Sequence, residues 1–274
     1  MEKGKPAPWV FLTVILVWTW TFFALTFFTG QSYLQFPTVL LSLAGGFGPL
    51  FVSLILIKAG YWDKELDETA FQFIRRVLNP LTLNLRWYFY VILLVLLLSI
   101  TPVLLHNLFL DEKELFAVGP LTFILIGVII GGMEEIGWRA YALEGLQRKI
   151  PVILASFIVN LFWAAWHLPL FFMEGTYQAQ LGVGTTAFWS FNLAIIISSP
   201  IYAWVYNKSG RIAFAVIFYH ALGNFSGELF NTAAPSLDLG IEAVIAIILA
   251  AYSWKWMNDP VKLLNSGRSF VFPG

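Results

Sequence analysis

The chain has 274 residues, of which 59% are hydrophobic and only 12% are charged, and its mean hydropathy is +0.76. Soluble domains carry about 25% charged residues, so this composition excludes a solvated globular surface and is typical of a protein that crosses a membrane several times. The zero net charge gives no basic field for a nucleic-acid partner, and the absence of cysteine excludes disulfides, thiolate nucleophiles and cysteine-ligated metals.

Long apolar segments predict an all-α polytopic membrane protein with eight transmembrane helices, since a spanning helix needs about 20 mostly apolar residues. The predicted spans cover roughly 9–29, 37–59, 87–106, 119–147, 151–173, 184–206, 211–230 and 240–257. The first segment is longer than the apolar core of a signal peptide and is expected to remain as a span. The sequence contains no internal repeat or linker. We therefore expect a single domain over residues 1–274, with its motif-bearing core at roughly 119–230.

The basic residues predict how these spans are oriented. Fifteen of the sixteen Lys and Arg residues fall in the two tails and in the second, fourth and sixth connections with their flanks, and only Lys113 falls on the other side. Because basic residues concentrate in cytoplasmic loops, both termini are expected to be cytoplasmic. Charged and apolar side chains alternate over residues 62–85. This pattern favours an amphipathic helix at the cytoplasmic interface, with an ordinary solvated loop as the alternative.

Ionisable and amide side chains inside the predicted spans are the candidate functional groups, because their burial in hydrocarbon is costly. They are Glu134, Glu135 and Arg139 in the fourth span, His167 in the fifth, and His220 and Asn224 in the seventh. A rise of 1.5 Å per residue places Glu134, His167 and Asn224 about 20–24 Å from the cytoplasmic ends of their helices, and His220 about 14 Å. Groups from three distant segments are therefore expected to share one layer of the membrane.

Helical spacing separates the roles of the two glutamates. Glu135 and Arg139 are four residues apart and can pair on one helix face, whereas Glu134 points about 100° away. We expect Glu134 to be free to act, with Glu135 and Arg139 as structural support. His220 and Asn224 are also four residues apart and lie on one face. A purely structural Glu–Arg pair and hydrogen-bonded packing histidines are the alternatives.

This set of side chains could hydrolyse a peptide bond. Carboxylates and neutral imidazoles are the usual general bases, so Glu134 with His167 could take a proton from water and direct the hydroxide to a carbonyl. His220 and the amide of Asn224 are donors that could stabilise the resulting oxyanion. No metal is expected in this mechanism. Two further amides, Asn160 and Asn192, are expected to form hydrogen bonds between helices.

Other functions stay open on the residues alone. The same Glu, His and Asn side chains could bind zinc or another divalent ion in a metal-dependent protease, although the H-E-x-x-H helix pattern is absent. Buried Glu and His also form proton relays in transporters, but the two halves of this chain show no repeat symmetry. A membrane scaffold without catalytic activity is the remaining alternative.

Three motifs in order carry a resemblance to a known family. E-E-x-x-x-R at Glu134, Glu135 and Arg139 is followed by an aromatic-x-x-x-His motif ending at His167 and by a His-x-x-x-Asn motif. This arrangement resembles the CAAX protease and bacteriocin-processing (CPBP) family, whose best-known members are the Ras-converting CAAX endopeptidases. The second motif departs from the family at Trp163, where phenylalanine is usual.

The resemblance implies a glutamate-dependent intramembrane protease without a cofactor. It assigns water activation to Glu134 and His167, the oxyanion hole to His220 and Asn224, and support of the site to Glu135 and Arg139. It also implies a peptide or a prenylated protein as substrate, within membrane lipids and without nucleic acid. The sequence does not distinguish a prenylated C terminus from a bacteriocin-type peptide.

Overall fold

The structure is a computed structural model that describes residues 3–64, 66–109, 131–229 and 235–261. These residues form helices and no strands, which confirms the all-α class. The helices are α1 (Pro8–Phe28), α2 (Thr38–Gly46), α3 (Gly48–Lys58), α4 (Ala70–Val77), α5 (Leu85–Phe109), α6 (Gly132–Gly137), α7 (Glu144–Leu146), α8 (Val152–His167), α9 (Tyr177–Leu181), α10 (Thr186–Ile197), α11 (Ser199–Lys208), α12 (Ala213–Leu229) and α13 (Pro235–Met257). A π-helical segment, Trp138–Leu143, joins α6 to α7, and 3-10 turns occupy Pro80–Thr82 and Leu168–Phe172.

Five segments in the described residues are long and apolar enough to cross a membrane, so the chain is an integral membrane protein. They are Pro8–Phe28, Leu85–Phe109, Val152–Phe172, Thr186–Lys208 and Ser236–Met257. They correspond to the first, third, fifth, sixth and eighth predicted spans. The seventh corresponds to α12, which has 17 residues. The first part of the fourth, residues 119–130, lies outside the described residues, so eight crossings stay a prediction.

The second predicted span is not one straight helix. It consists of α2 and α3, which are bent by 62° at Phe47. Pro49 lies in the first turn of α3, where its missing N–H and its ring prevent the preceding helix from continuing through it. The bent pair adds a sixth candidate span if its two helices cross the membrane together.

The predicted interfacial helix over residues 62–85 is too long. The structure contains only α4 and the short 3-10 turn in this segment. Helix α4 begins at a capping box, in which the Thr69 hydroxyl accepts from Gln72 N–H and the Gln72 side chain accepts from Thr69 N–H. Its Phe73 and Val77 are buried, whereas Phe71 is 75% exposed. The amphipathic character therefore belongs to two helical turns.

The α6 helix lies between α3 and α12, and it carries the first motif. Gly137 allows the close approach of α3, because a Cβ atom there would overlap the backbone oxygen of Pro49. The π-helical segment that follows is enclosed as well, with Trp138, Arg139 and Tyr141 all at 0% exposure. The residues after the motif thus lie inside the helix assembly, with α1 and α8 packed on them.

A buried ion cluster joins the ends of several helices on the side predicted to be cytoplasmic. Glu144 Oε1 lies 2.8 Å from Arg148 Nη2 and also pairs with Arg211. Arg148 Nη1 in turn lies 2.7 Å from Asp63 Oδ2 in the connection after α3. The Tyr206 hydroxyl donates to Glu144 Oε2 at 2.9 Å. This cluster ties together the segments that flank α6, α8 and α12.

Candidate active site

Glu135 connects the first and third motifs. Its Oε2 lies 3.2 Å from Arg139 Nε, so the pair expected from the spacing is present, and both side chains are 0% exposed. Its Oε1 accepts a hydrogen bond from His220 Nδ1 at 2.8 Å. The Arg139 guanidinium lies over the rings of Tyr202 and Trp163, at 4.1 and 5.1 Å from their centroids. The ion pair is thus held between α6 and α12 and shielded from solvent by aromatic rings.

Glu134 faces a different direction and lines a cavity. It is 6% exposed, and its Oε2 accepts from the indole N–H of Trp163 at 2.9 Å. Its carboxylate has no described ion pair, unlike that of Glu135. The adjacent glutamates therefore occupy separate environments, as helical geometry predicts.

His167 is held in one tautomer by the backbone. It ends α8, and its Nδ1 lies 2.8 Å from the carbonyl oxygen of Trp163. Because a carbonyl oxygen only accepts, Nδ1 carries the ring proton, and Nε2 of the neutral imidazole retains its lone pair. Trp163 thus contacts both candidate bases, Glu134 through its indole and His167 through its carbonyl.

The side-chain nitrogens of His220 and Asn224 converge on the position of Gly131. A Cβ atom on Gly131 would overlap the Asn224 amide nitrogen and lie 2.9 Å from His220 Nε2. The absent side chain leaves room for a small group between the two nitrogens. Since His220 Nδ1–H already donates to Glu135, Nε2 can donate as well only when the ring is an imidazolium.

Glu134, His167, His220 and Asn224 all line one cavity with a volume of about 850 Å³. A cavity of this size is in the range of sites that enclose a small molecule or part of a chain. Most of the remaining wall is apolar or aromatic, with Phe23, Leu43, Trp166, Met173 and Phe191 among its members. The structure therefore brings the four candidate catalytic residues together and leaves Glu135 and Arg139 behind the wall.

The described residues contain no group of three or more His, Asp or Glu side chains that could hold a metal ion. Zinc sites in proteases use three protein ligands, and Asn is a poor substitute for one of them. The metal-dependent alternative therefore lacks a ligand set in this part of the chain.

Of the two amide side chains expected to form hydrogen bonds between helices, Asn160 forms them in the structure and Asn192 has a different described partner. Asn160 Nδ2 donates to the carbonyl oxygen of Ile195 at 2.5 Å and to the Ser198 hydroxyl at 3.2 Å, from α8 to the end of α10. Asn192 instead donates to the carbonyl oxygen of Phe188 in its own helix at 2.8 Å, so its described hydrogen bond is not the expected interhelical one.

Three residues of the site region were not singled out from the sequence. Trp163 was recognised as an aromatic residue but not as a donor to Glu134. Gly131 lacks a side chain, as the sequence shows, but its position against His220 was not predictable. Glu242, which also lines the cavity, is a carboxylate within the last apolar span, and the rule for ionisable residues in spans would have found it.

The helical membrane fold and a buried carboxylate and imidazoles around one cavity define a membrane-embedded hydrolase. A family model described as type II CAAX prenyl endopeptidase Rce1-like matches residues 115–226, the range that contains all three motifs. The resemblance predicted from the motifs is thereby confirmed over this range: residues 115–226 are similar to an Rce1-like CAAX prenyl endopeptidase domain, and this similarity indicates a protease.

The chain is also similar to two curated relatives, the first of which is named as a CAAX prenyl protease. The chain is 27% identical over 249 residues to CAAX prenyl protease 2 of Methanococcus maripaludis, in an alignment that covers 83% of this chain and 89% of that protein. It is 24% identical over 215 residues to lysostaphin resistance protein A of Staphylococcus haemolyticus, which covers 73% of this chain and 55% of that protein.

Proposed function

We propose that this protein is a glutamate-dependent intramembrane endopeptidase that hydrolyses a peptide bond with an activated water and without a covalent intermediate. The observation that carries the proposal is the position of Glu134, His167, His220 and Asn224 on the wall of one cavity. These residues come from α6, α8 and α12, and each retains a polar atom suited to one step of hydrolysis.

Water activation is the first step. A water between the Glu134 carboxylate and His167 Nε2 gives a proton to one of these bases while its oxygen adds to the peptide carbonyl carbon. The carbonyl π electrons move to the oxygen, and the oxyanion accepts hydrogen bonds from His220 Nε2–H and the Asn224 amide. The C–N bond then breaks as the protonated base gives its proton to the leaving nitrogen. The products are a carboxylic acid and an amine, and transfer of the acid proton to the amine gives a carboxylate and an ammonium group.

Glu135 and Arg139 act through their neighbours in this proposal. Glu135 orients the His220 ring through a hydrogen bond to Nδ1, and Arg139 offsets the buried charge of Glu135. Loss of either partner would break an ion pair whose side chains are 0% exposed. Breaking a buried pair of this kind lowers the stability of a protein by about 3–5 kcal/mol.

We propose a peptide near the C terminus of a prenylated protein as the substrate. The relative named CAAX prenyl protease 2 covers most of this chain, and the apolar and aromatic part of the cavity wall suits an isoprenoid chain. The second relative carries a different name, lysostaphin resistance protein A. A non-prenylated peptide is therefore included as a comparison substrate in the test below.

The test is cleavage of a farnesylated C-terminal peptide, and of its non-prenylated form, by the full chain purified in detergent. Glu134→Ala and His167→Ala are expected to abolish cleavage, whereas Glu68→Ala, which changes a carboxylate remote from the cavity, is expected to retain it. Cleavage is expected to persist with a chelator. Chelator-sensitive cleavage would favour the metal-dependent alternative, and cleavage that survives Glu134→Ala would contradict the proposed role of Glu134.

We also propose eight membrane crossings with both termini cytoplasmic, in a single protease domain. The chain contains no cysteine, so an introduced cysteine is its only thiol. An impermeant maleimide applied to oriented vesicles is expected to label Lys3→Cys and Ser266→Cys from one face and Lys113→Cys from the opposite face. Labelling of Lys113→Cys and Lys3→Cys from the same face would refute this topology.

A further inference from the structure

Glu242 places a second carboxylate on the wall of the cavity, and it comes from a helix that carries none of the three motifs. It lies on α13, seven residues after Pro235 and hence about 10 Å along the helix axis. Between Asp238 and Lys255, Glu242 is the only charged residue in the sequence. A carboxylate in a membrane-spanning segment is costly, and such residues face cavities or have polar partners.

The surroundings of Glu242 are continuous with the proposed catalytic residues. Tyr202 and Tyr219 line the same cavity as Glu242. Their ring centroids are 5.0 Å apart, and the Tyr202 ring lies 6.2 Å from that of His220. A peptide bound at His220 would therefore bring its neighbouring residues within reach of this part of the wall.

The described cavity wall contains acidic residues and histidines but no lysine or arginine. Its two acidic residues are Glu134 and Glu242. The cation of the first motif, Arg139, does not line the cavity: its side chain is 0% exposed and is paired with Glu135. The described ion pairs do not include Glu242. In their ionised form the two carboxylates produce a negative potential that attracts a cationic group and repels an anionic one.

We infer that Glu242 is a specificity-determining residue that binds a cationic side chain of the substrate, a lysine or arginine within a few residues of the scissile bond. This inference rests on the proposed function, because that function makes the ligand of the cavity a peptide. A neutral side chain at this position leaves the carboxylate without a counter-ion, and an acidic one adds repulsion. Preference for a basic side chain of about tenfold over a neutral one is expected for a single partly desolvated ion pair.

The test measures binding and cleavage separately. Farnesylated decapeptides carry lysine, norleucine or glutamate at one of three positions beside the farnesyl cysteine, and fluorescence anisotropy gives their affinity for the full chain in detergent. At one position at least, wild type is expected to bind the lysine peptide about tenfold more tightly than the norleucine peptide. Glu242→Gln, of nearly the same shape, is expected to reduce this ratio to about one, and Glu242→Lys to favour the glutamate peptide.

Glu68→Gln is the control, because it removes a carboxylate that does not line the cavity and lies on a different part of the chain, before α4. It is expected to keep the wild-type ratio. Equal binding of all three peptides by wild type, or an unchanged ratio in both Glu242 variants, would overturn the inference. If the lysine preference disappears in the variants while no peptide is cleaved by wild type, the inference stands and the proposed protease activity fails.

Discussion

Replacing Trp163 with phenylalanine removes the indole N–H that donates to Glu134 at 2.9 Å and keeps an aromatic ring at that position. The backbone carbonyl that accepts from His167 is unchanged. Phenylalanine is the usual residue at this point of the second motif in the family that the chain resembles, so the helix is expected to accept it. The substitution therefore isolates one hydrogen bond to the proposed base.

The expected magnitude follows from the charge of the acceptor. A hydrogen bond to an ionised group contributes about 1.5–3 kcal/mol, and each 1.4 kcal/mol changes a rate by about tenfold. Trp163 and Glu134 are both buried, at 5% and 6% exposure, so water cannot fully replace the lost donor. We expect kcat/KM to fall by about 10- to 100-fold, because Glu134 is less firmly oriented and its ionised form is less stabilised.

The assay is steady-state cleavage of the farnesylated peptide by wild type, Trp163→Phe and Trp166→Phe. Trp166 is the matched control: it is on the same helix, it is 2% exposed, and its indole N–H donates to the Thr19 hydroxyl at 2.8 Å. Both variants lose a buried hydrogen bond, but only the first loses one to Glu134. Full activity of Trp163→Phe, or an equal loss in Trp166→Phe, would refute the reasoning.

Two further substitutions test the close packing at Gly131 and the ion cluster around Glu144. Gly131→Ala places a methyl group against His220 Nε2 and is expected to lower kcat by about 100-fold or more, the usual effect of losing an oxyanion donor, whereas Gly240→Ala, with open space around its Cβ position, is expected to have no effect. Glu144→Gln removes the carboxylate charge that Arg148 and Arg211 share and is expected to lower stability by about 3–5 kcal/mol, whereas Arg76→Gln breaks a half-exposed pair and costs at most about 1 kcal/mol. Peptide cleavage and thermal unfolding in detergent measure these effects. A stable and active Gly131→Ala, or equal stability losses for Glu144→Gln and Arg76→Gln, would contradict them.

Features set by local physics were predictable from the sequence. The apolar segments of α1, α5 and α13, and the segment Val152–Phe172 that begins with α8, are long enough to cross a bilayer, and a hydropathy scan of the sequence detects this length. The Glu135–Arg139 pair follows from helical spacing, and it separates the two adjacent glutamates without tertiary information. Helix rise predicted similar depths for the candidate residues, and the structure places four of them on the wall of one cavity.

Features that depend on a neighbouring helix were not predictable. The bend at Phe47 lies inside a continuous apolar stretch, and its partner contact is the approach of Gly137 to Pro49. The length of α4, in contrast, is decided by local features, a capping box and a nearby proline, and the alternating pattern alone predicted a helix that was too long. The indole donor of Trp163 acquires its role only because α6 places Glu134 opposite it.

The role of Glu134 as the base that activates water is tested most directly by single-turnover cleavage with Glu134→Gln. The amide retains an acceptor for the Trp163 N–H and nearly the same shape, but it cannot take a proton from water. We expect peptide binding to persist while the cleavage rate falls by about 100- to 10,000-fold, the range attributed to general base catalysis. A Glu134→Gln variant that binds the peptide and cleaves it within tenfold of the wild-type rate would show that another group activates the water.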